Sequence, residues 1–335
     1  MESLDLRVLE DALQWARAGH RVELATVVQT WGSAPRPPGA LLAIREDGQL
    51  SGSVSGGCVE DDLIARAKAG WNAPSTAPAS PRLVVYGVDQ EEAARFGLPC
   101  GGTLRLVLEP VSDTGWIEHV LQRTAAHRLV ARTLDLRSGR VSCRDAVRGE
   151  SLVFDGTTLT TVFGPKWRLL LIGAGQLSQA VAQIATMMDF EVLICDPREE
   201  YVCVGDLPGV QRLAGMPDDV VRELIPDAHT AIVALTHDPK LDDMALLEAL
   251  KSAAFYVGAL GSRRNQAARK ERLAEHFGLS ADELSRLHGP VGLAIGARTP
   301  AEIAVSILAE IVQVKNAAVL RAHAEPAQSS CLTSS

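Results

Sequence analysis

Apolar residues at Leu4, Val8, Leu9, Leu13 and Ala16 recur at helical spacing and are followed by Gly19. This predicts an amphipathic helix over residues 3–18 closed by a glycine cap. "RVELATVVQT" then reads as a strand, and "WGSAPRPPGA" as a structured loop, because Pro35, Pro37 and Pro38 remove backbone donors. "LLAIRE", the pair Asp47-Gly48 and "QLSGSV" predict a strand, a tight turn and a second strand. Helical spacing returns in "VEDDLIARAKA", residues 59–69, with Glu60, Asp61 and Asp62 in the first turn, where the helix dipole favours negative charge. After a Pro/Ser/Ala connection over residues 72–81, "RLVVYGV" and "TLRLVLEP" predict strands. Residues 112–163 hold a helix near Trp116 to Ala125 and short strands that include "HRLVARTLDL" and "SLVFDG".

The pattern changes after "FGPKW", residues 163–167. "RLLLIGAGQLSQAVAQIATMMDFEVLICDPR" gives an apolar strand, a glycine turn, a helix and a second apolar strand. "TAIVALTH", a helix over residues 241–251 and "FYVGALG" continue the alternation, which predicts a doubly wound parallel sheet. Further on, Thr299, Pro300 and Glu302 fit the cap, first and third positions of a helix whose apolar stripe runs through Ile303, Ile307, Leu308 and Ile311. The expected fold class is therefore α/β. An N-terminal α+β domain spans residues 1–163, a C-terminal Rossmann-like doubly wound domain spans 164–320, and a disordered Ala/Ser/Gln-rich tail spans 321–335.

Composition narrows the function classes. The 335 residues are 47% hydrophobic and 22% charged, a soluble globular balance. A net charge of -8 gives no support for a nucleic-acid-binding surface. The acidic, helical N-terminus does not resemble a signal peptide, and no long uncharged apolar run suggests a membrane span, so a cytoplasmic protein is expected. Six cysteines without a C-x-x-C spacing predict neither a zinc site nor a disulfide framework.

Two stretches carry candidate chemistry in the first domain. In "SVSGGCVE", Gly56 and Gly57 precede Cys58 at the start of a helix, where a thiol's pKa falls and more thiolate forms. In "FGLPCGGTL", Cys100 is followed by Gly101 and Gly102. Paired glycines allow close approach of backbone N–H groups to a ligand, or they simply make tight turns with buried cysteines behind them. Cys143, Cys195 and Cys203 stand in no such motif and read as structural.

In the second domain, Gly173 and Gly175 open a helix, and Asp196 lies 23 residues past Gly173, near the spacing at which a carboxylate accepts a ribose hydroxyl. Ser178 replaces the third glycine of the dinucleotide fingerprint. Strand ends on a parallel sheet face the ligand crevice, which places Thr236, His237, Asp238 and residues 258–264 beside it, with Ser262 and Arg263 suited to a phosphate. Arg269, Lys270 and Arg272 read as a solvated helix face.

Together, "TWGSAPRPPGA", "GSVSGGCVE", "LPCGG", "LIGAGQ", "THD", "GALGSRR" and "HGPVGLAIGARTPAEIAVSILAEI" resemble the xanthine dehydrogenase accessory family, XdhC/CoxI, in order and from about residue 25 to 315. The resemblance implies a non-catalytic chaperone that binds molybdenum cofactor, protects it while a cysteine desulfurase supplies the sulfido ligand, and passes it to a molybdenum hydroxylase apoenzyme of the xanthine dehydrogenase type. The cofactor is expected as molybdopterin or its cytosine dinucleotide form. Cys58 and Cys100 become candidate thiolate ligands of molybdenum, with Gly56, Gly57, Gly101 and Gly102 around them. Gly173, Gly175 and Asp196 become candidates for holding an attached nucleotide. Gln176 departs from the histidine of many family members. The alternatives are an NAD(P)-dependent oxidoreductase with His237 as proton donor, and a nucleotidyl or sulfur transferase using Cys58. A homodimer is a further expectation.

Overall fold

The computed structural model describes residues 3–31, 36–57, 59–72, 80–87, 103–147, 150–198 and 207–324. The chain divides into two compact units between Pro165 and Lys166.

In the first unit, helix α1 (Ser3–Arg17) follows the predicted apolar spacing, and its Leu6, Leu9, Leu13 and Trp15 enter a core with Val22, Leu24 and Leu41. Strands β1 (Val22–Trp31), β2 (Leu41–Arg45), β3 (Leu50–Gly52), β4 (Arg82–Tyr86) and β5 (Thr103–Pro110) form one antiparallel sheet in the order β3-β2-β1-β5-β4. The Asp47-Gly48 turn makes the β2–β3 hairpin as the sequence predicts, with Asp47 Oδ1 accepting from Gln49 N at 3.1 Å. Central β1 is buried from Val22 to Val28 because both of its faces are covered. Ala25 and Val27 pack with Val59, Leu63 and Ala67 of the segment that forms helix α2 (Glu60–Asn72), while Val22 and Leu24 pack against α1. Helix α3 (Gly115–Ala125) and strands β6 (Val130–Asp135), β7 (Val141–Asp145), β8 (Val153–Phe154) and β9 (Thr158–Phe163) follow, the strands forming a sheet in the order β7-β6-β9-β8. Val28 and Val107 of the first sheet meet Leu134 and Leu159 of the second. The fully buried Arg132 pairs with Glu109, and its guanidinium lies 3.8 Å from the Trp116 ring centre.

The second unit is a six-stranded, all-parallel sheet in the order β12-β11-β10-β13-β14-β15. Its strands are β10 (Arg168–Ile172), β11 (Glu191–Cys195), β12 (Val210–Leu213), β13 (Thr230–Ala234), β14 (Tyr256–Ala259) and β15 (Leu287–His288). The apolar runs are continuous because both faces are covered. Leu169 and Leu171 pack with α4 (Gln176–Met187) and α9 (Pro300–Ala324), and Leu170 and Ile172 with α5 (Pro217–Leu224), α6 (Pro239–Lys251) and α7 (Arg263–Phe277). A short helix, α8 (Ala281–Ser285), precedes β15. The Thr299 cap takes the predicted form: Glu302 N donates to Thr299 Oγ1 at 3.3 Å, and Glu302 Oε2 accepts from Thr299 N at 3.0 Å. Deeper along α9, Glu310 accepts from Tyr256 Oη at 2.5 Å and Gly292 N at 2.6 Å and bonds His288 Nδ1 at 3.0 Å, tying the glycine-rich segment before α9 to the sheet.

One sequence expectation is overturned here. Arg269 is not on a solvated face: it is 6% exposed. Its Nε donates to Asp243 and its Nη2 to Asp242, each at 3.0 Å, while Nη1 donates to the carbonyl of Leu260 at 3.1 Å. Arg272, half-exposed, donates to the other Asp243 oxygen at 2.7 Å. The charge run in "GSRRNQAARKER" reads as solvated because its partners lie on α6, more than twenty residues earlier. Burial pushes the Asp242 carboxyl up, and the Thr236 hydroxyl and Arg269 oppose that shift. Arg269→Leu should therefore cost roughly 3–5 kcal/mol, since two carboxylates would stay buried with their main counterion removed. Urea denaturation checks this, and a loss below roughly 1 kcal/mol would mean the pair behaves as a surface bridge.

Candidate functional site

The segment "SVSGGCVE" is organised by the acid that closes it. The Glu60 carboxylate accepts from five donors: Ser53 Oγ at 2.8 Å, the backbone N–H groups of Val54 and Ser55 at 3.0 Å each, Gly57 N at 2.9 Å, and Ser55 Oγ. Ser55 Oγ accepts from Val59 N at 3.1 Å, and Ser53 Oγ from Gly56 N at 3.1 Å. Burial would raise the Glu60 pKa, but the hydrogen bonds from Ser55, Ser53 and Val54 prevail and hold it at about 2. An ionised, acceptor-only carboxylate is what such a ring of donors requires.

The N–H groups of the paired glycines are engaged within the loop, Gly56 N by Ser53 Oγ and Gly57 N by Glu60 Oε2. What Gly57 contributes is conformation, a φ of +135° that side chains rarely adopt, and open space, since a Cβ built there meets nothing within 4 Å. Cys58 itself, together with Cys100, Gly101 and Gly102, lies outside the described residues. Their chain neighbours are anchored close together. Asp62, in the first turn of α2, accepts from Tyr86 Oη at 2.8 Å; Tyr86 pairs with Leu104, and Thr103 Oγ1 donates to Gly87 O at 3.3 Å. The helix after Cys58 and the strand after Cys100 thus start at the same end of the sheet, a juxtaposition that sequence spacing could not reveal.

In the second unit, the crevice at the carboxyl ends of β10, β13 and β14 is assembled from three loops. Gly173, with φ +108°, brings its turn so close to Thr236 that a Cβ would lie 3.1–3.2 Å from that residue. Gly175 caps α4 with an ordinary φ of -70° and empty space where its Cβ would stand. Ser178, at the third-glycine position, is buried with its hydroxyl unpaired among the described residues. Asp196 is committed: it accepts from Ala174 N at 2.8 Å and forms a two-pronged pair with Arg198 at 2.8 and 2.9 Å. Burial would raise its pKa, but the bonds from Arg198 and Ala174 N prevail and lower it. Its oxygens stabilise the glycine turn from behind. Asp238 is the cap of α6, accepting from Lys240 N at 2.9 Å, and His237 is exposed with a left-handed φ of +63°. Ser262 caps α7 by accepting from Asn265 N at 3.2 Å, which leaves its hydroxyl proton available to donate. Arg263 and Arg264 are exposed and form no ion pair among the described residues. Cys195 is buried with its thiol pushed up to about 12, and Cys143 is also raised by burial; neither is activated.

Among the described residues no group of three or more His, Cys, Asp or Glu side chains could hold a metal ion, and no helix is long and apolar enough to cross a membrane.

Comparison with known proteins identifies the family. The chain is 30% identical over 319 residues to a probable xanthine dehydrogenase subunit of Bacillus subtilis (strain 168), spanning 87% of this chain and 92% of that protein. The chain belongs to the XdhC and CoxI family. The XdhC and CoxI family model matches residues 15–87, and the XdhC Rossmann domain model matches residues 169–311. The molybdenum cofactor insertion chaperone PaoD of Escherichia coli (strain K12) is 28% identical over 317 residues, spanning 92% of this chain and 88% of that one. A crystal structure described as a xanthine dehydrogenase from Bacillus halodurans superposes with a TM-score of 0.75 at 26% identity, covering 98% of both chains. In this XdhC and CoxI family member, the Glu60 ring falls inside the first matched segment, and the Gly173 turn and Arg269 inside the second.

The Glu60 geometry fixes a pH dependence. Its folded pKa of about 2 lies below an ordinary 4.5, so its contribution is complete above pH 4.5 and is lost as pH falls toward 2. Glu60→Gln should destabilise the protein by about 2–3 kcal/mol at pH 7, and the gap to wild type should close between about pH 4.5 and 2. Urea titrations at pH 3, 5 and 7 check this; a gap that stays constant with pH would show that the carboxylate charge is irrelevant.

Proposed function

We propose that this protein is a chaperone for molybdenum cofactor: it binds the cofactor, holds it while a cysteine desulfurase supplies the terminal sulfido ligand, and delivers it to a molybdenum hydroxylase of the xanthine dehydrogenase type. The observation that carries this reading is near full-length similarity to PaoD and to the Bacillus subtilis protein. The chemistry of the first unit agrees with it. Soft thiolates suit a molybdenum dithiolene centre, and Cys58 and Cys100 are the proposed ligands, flanked by anchors that start at one end of the same sheet. The Glu60 ring would fix the approach to Cys58 without using the thiol. The cofactor is cargo, so binding and release, rather than turnover, are the function. A homodimer is compatible with this role.

Taken by itself, the second unit would bind a nucleotide through its phosphate. Two features favour a phosphate at the N-termini of α4 and α7: the empty space at Gly175, and the exposed cations Arg263 and Arg264 beside Ser262. The NAD(P) oxidoreductase alternative is weakened by Asp196, whose carboxylate is already held by Arg198 and Ala174 N, and by the use of Asp238 as a helix cap.

Anaerobic isolation from cells that make molybdenum cofactor, followed by metal and pterin analysis, should yield near-stoichiometric molybdenum with a pterin. Cys58→Ser should retain at least about tenfold less, equivalent to about 1.4 kcal/mol of binding, with an unchanged unfolding midpoint. Bound NAD(P) without molybdenum, or full retention in Cys58→Ser and in its double variant with Cys100→Ser, would overturn the reading. Gly175→Asp sets its Cβ in open space and places a negative charge at the α4 N-terminus; it should abolish cytidine nucleotide binding and leave molybdenum retention by the pterin form intact.

A further inference from the structure

One face of β1 and β5 is packed at Val28 and Val107 by the second sheet. Further along the same face, Gln29, Trp31 and Arg105 are exposed, so among the described residues this corner of the sheet is left open. There a hollow of about 350 Å³ is lined by Gln29 and Trp31 of β1, Val85 of β4, and Thr103 and Arg105 of β5. The register explains why these five share a face: Gln29 lies opposite Arg105, Arg105 opposite Val85, and Trp31 opposite Thr103. Trp31 is 74% exposed, whereas Trp15 and Trp116 are buried and Trp71 and Trp167 are half-buried. Exposing an indole costs hydrophobic free energy and does nothing for this core. Arg105 is exposed too, held by Gln29 Oε1 at 3.1 Å and without a carboxylate partner among the described residues, in a chain of net charge -8.

We propose that this hollow is the docking platform for the pterin end of the cofactor, a flat hydrogen-bonding heterocycle that carries an anionic group. This inference rests on the cofactor-chaperone reading and adds to it a site built without the cysteines. The indole face of Trp31 stacks on the ring, an interaction that tolerates any flat heterocycle. The Arg105 guanidinium takes the phosphate, a match of fork to oxyanion. Gln29 spends its carbonyl oxygen on Arg105, so its amide N–H groups remain to donate to a ring carbonyl. Thr103 donates its proton to Gly87 O, so its oxygen remains to accept from a ring N–H. The volume lies in the range of small-molecule clefts, roughly 300–1,000 Å³.

The test uses the full chain and pterin-6-carboxylate, a stable flat anion, with unsubstituted pterin as the neutral control. Binding is read by tryptophan fluorescence quenching and by equilibrium dialysis. Wild type should bind the anionic pterin at least about tenfold more tightly than Trp31→Ala, with Trp31→Phe recovering most of the affinity. Arg105→Gln should weaken the carboxylate-bearing pterin and leave the neutral one unchanged. Both side chains are exposed, so circular dichroism and the unfolding midpoint should match wild type. Equal affinity in wild type, Trp31→Ala and Arg105→Gln would overturn the platform and leave the chaperone reading standing. Absence of pterin binding by wild type would also overturn the platform; molybdenum and pterin content of the anaerobically isolated protein then judges the chaperone reading separately.

Discussion

A buried carboxylate that serves a loop's backbone dictates the form of the first unit's candidate site. Glu60 belongs to a helix, yet its oxygens face the chain that leads into that helix and receive three backbone N–H groups and two hydroxyls. Leaving any such donor buried and unpaired would cost on the order of 1–3 kcal/mol. The loop is thus held by charge-assisted hydrogen bonds rather than by side-chain packing. The glycines before Cys58 permit the turn, and the acid after it makes the turn the preferred one.

The second unit solves a similar problem with opposite charge. Arg269 sends its guanidinium inward to two carboxylates of α6 and to the Leu260 carbonyl at the end of β14. Asp242 also accepts from the backbone and hydroxyl of Thr236, just past the end of β13. One ion-pair network therefore sets two of the three loops that border the crevice, and Asp196 braces the third through Ala174 N. The acid that a dinucleotide fingerprint would assign to a ribose is here part of the scaffold. The crevice's own acids are paired, while Arg263 and Arg264 are exposed on its rim, which supports the proposed phosphate rather than a ribose diol as its ligand.

Both matched segments thus share a design in which charged side chains are turned toward backbone. That leaves the exposed indole of Trp31, the exposed guanidinium of Arg105 and the open space beside Gly57 and Gly175 as surface that the fold does not use for itself. The proposed role of holding and releasing cargo would use such surface. Cys143 and Cys195 have raised thiol pKa values, in keeping with inert packing.

Local pattern determined a large share of the fold. Helix α1, the Asp47-Gly48 hairpin, the strand–turn–helix around Gly173 and the Thr299 cap are set by interactions within a few residues, so spacing alone makes them readable. The parallel sheet was readable too, since continuous apolar strands alternating with helices have few other ways to bury both faces. What only the tertiary structure decided were the destinations of charges. Nothing in "GSRRNQAARKER" distinguishes Arg269 from a solvated arginine, because its partners are 26 and 27 residues away. Nothing in "VEDDL" separates the inward Glu60 from an ordinary first-turn acid, because the donors it meets depend on how the preceding strand delivers the loop. The hollow at Trp31 was equally hidden: its five lining residues share a face only because β1, β4 and β5 pair in one register. Periodicity encodes which face of an element is buried; which polar group meets which is encoded in the pairing of distant segments.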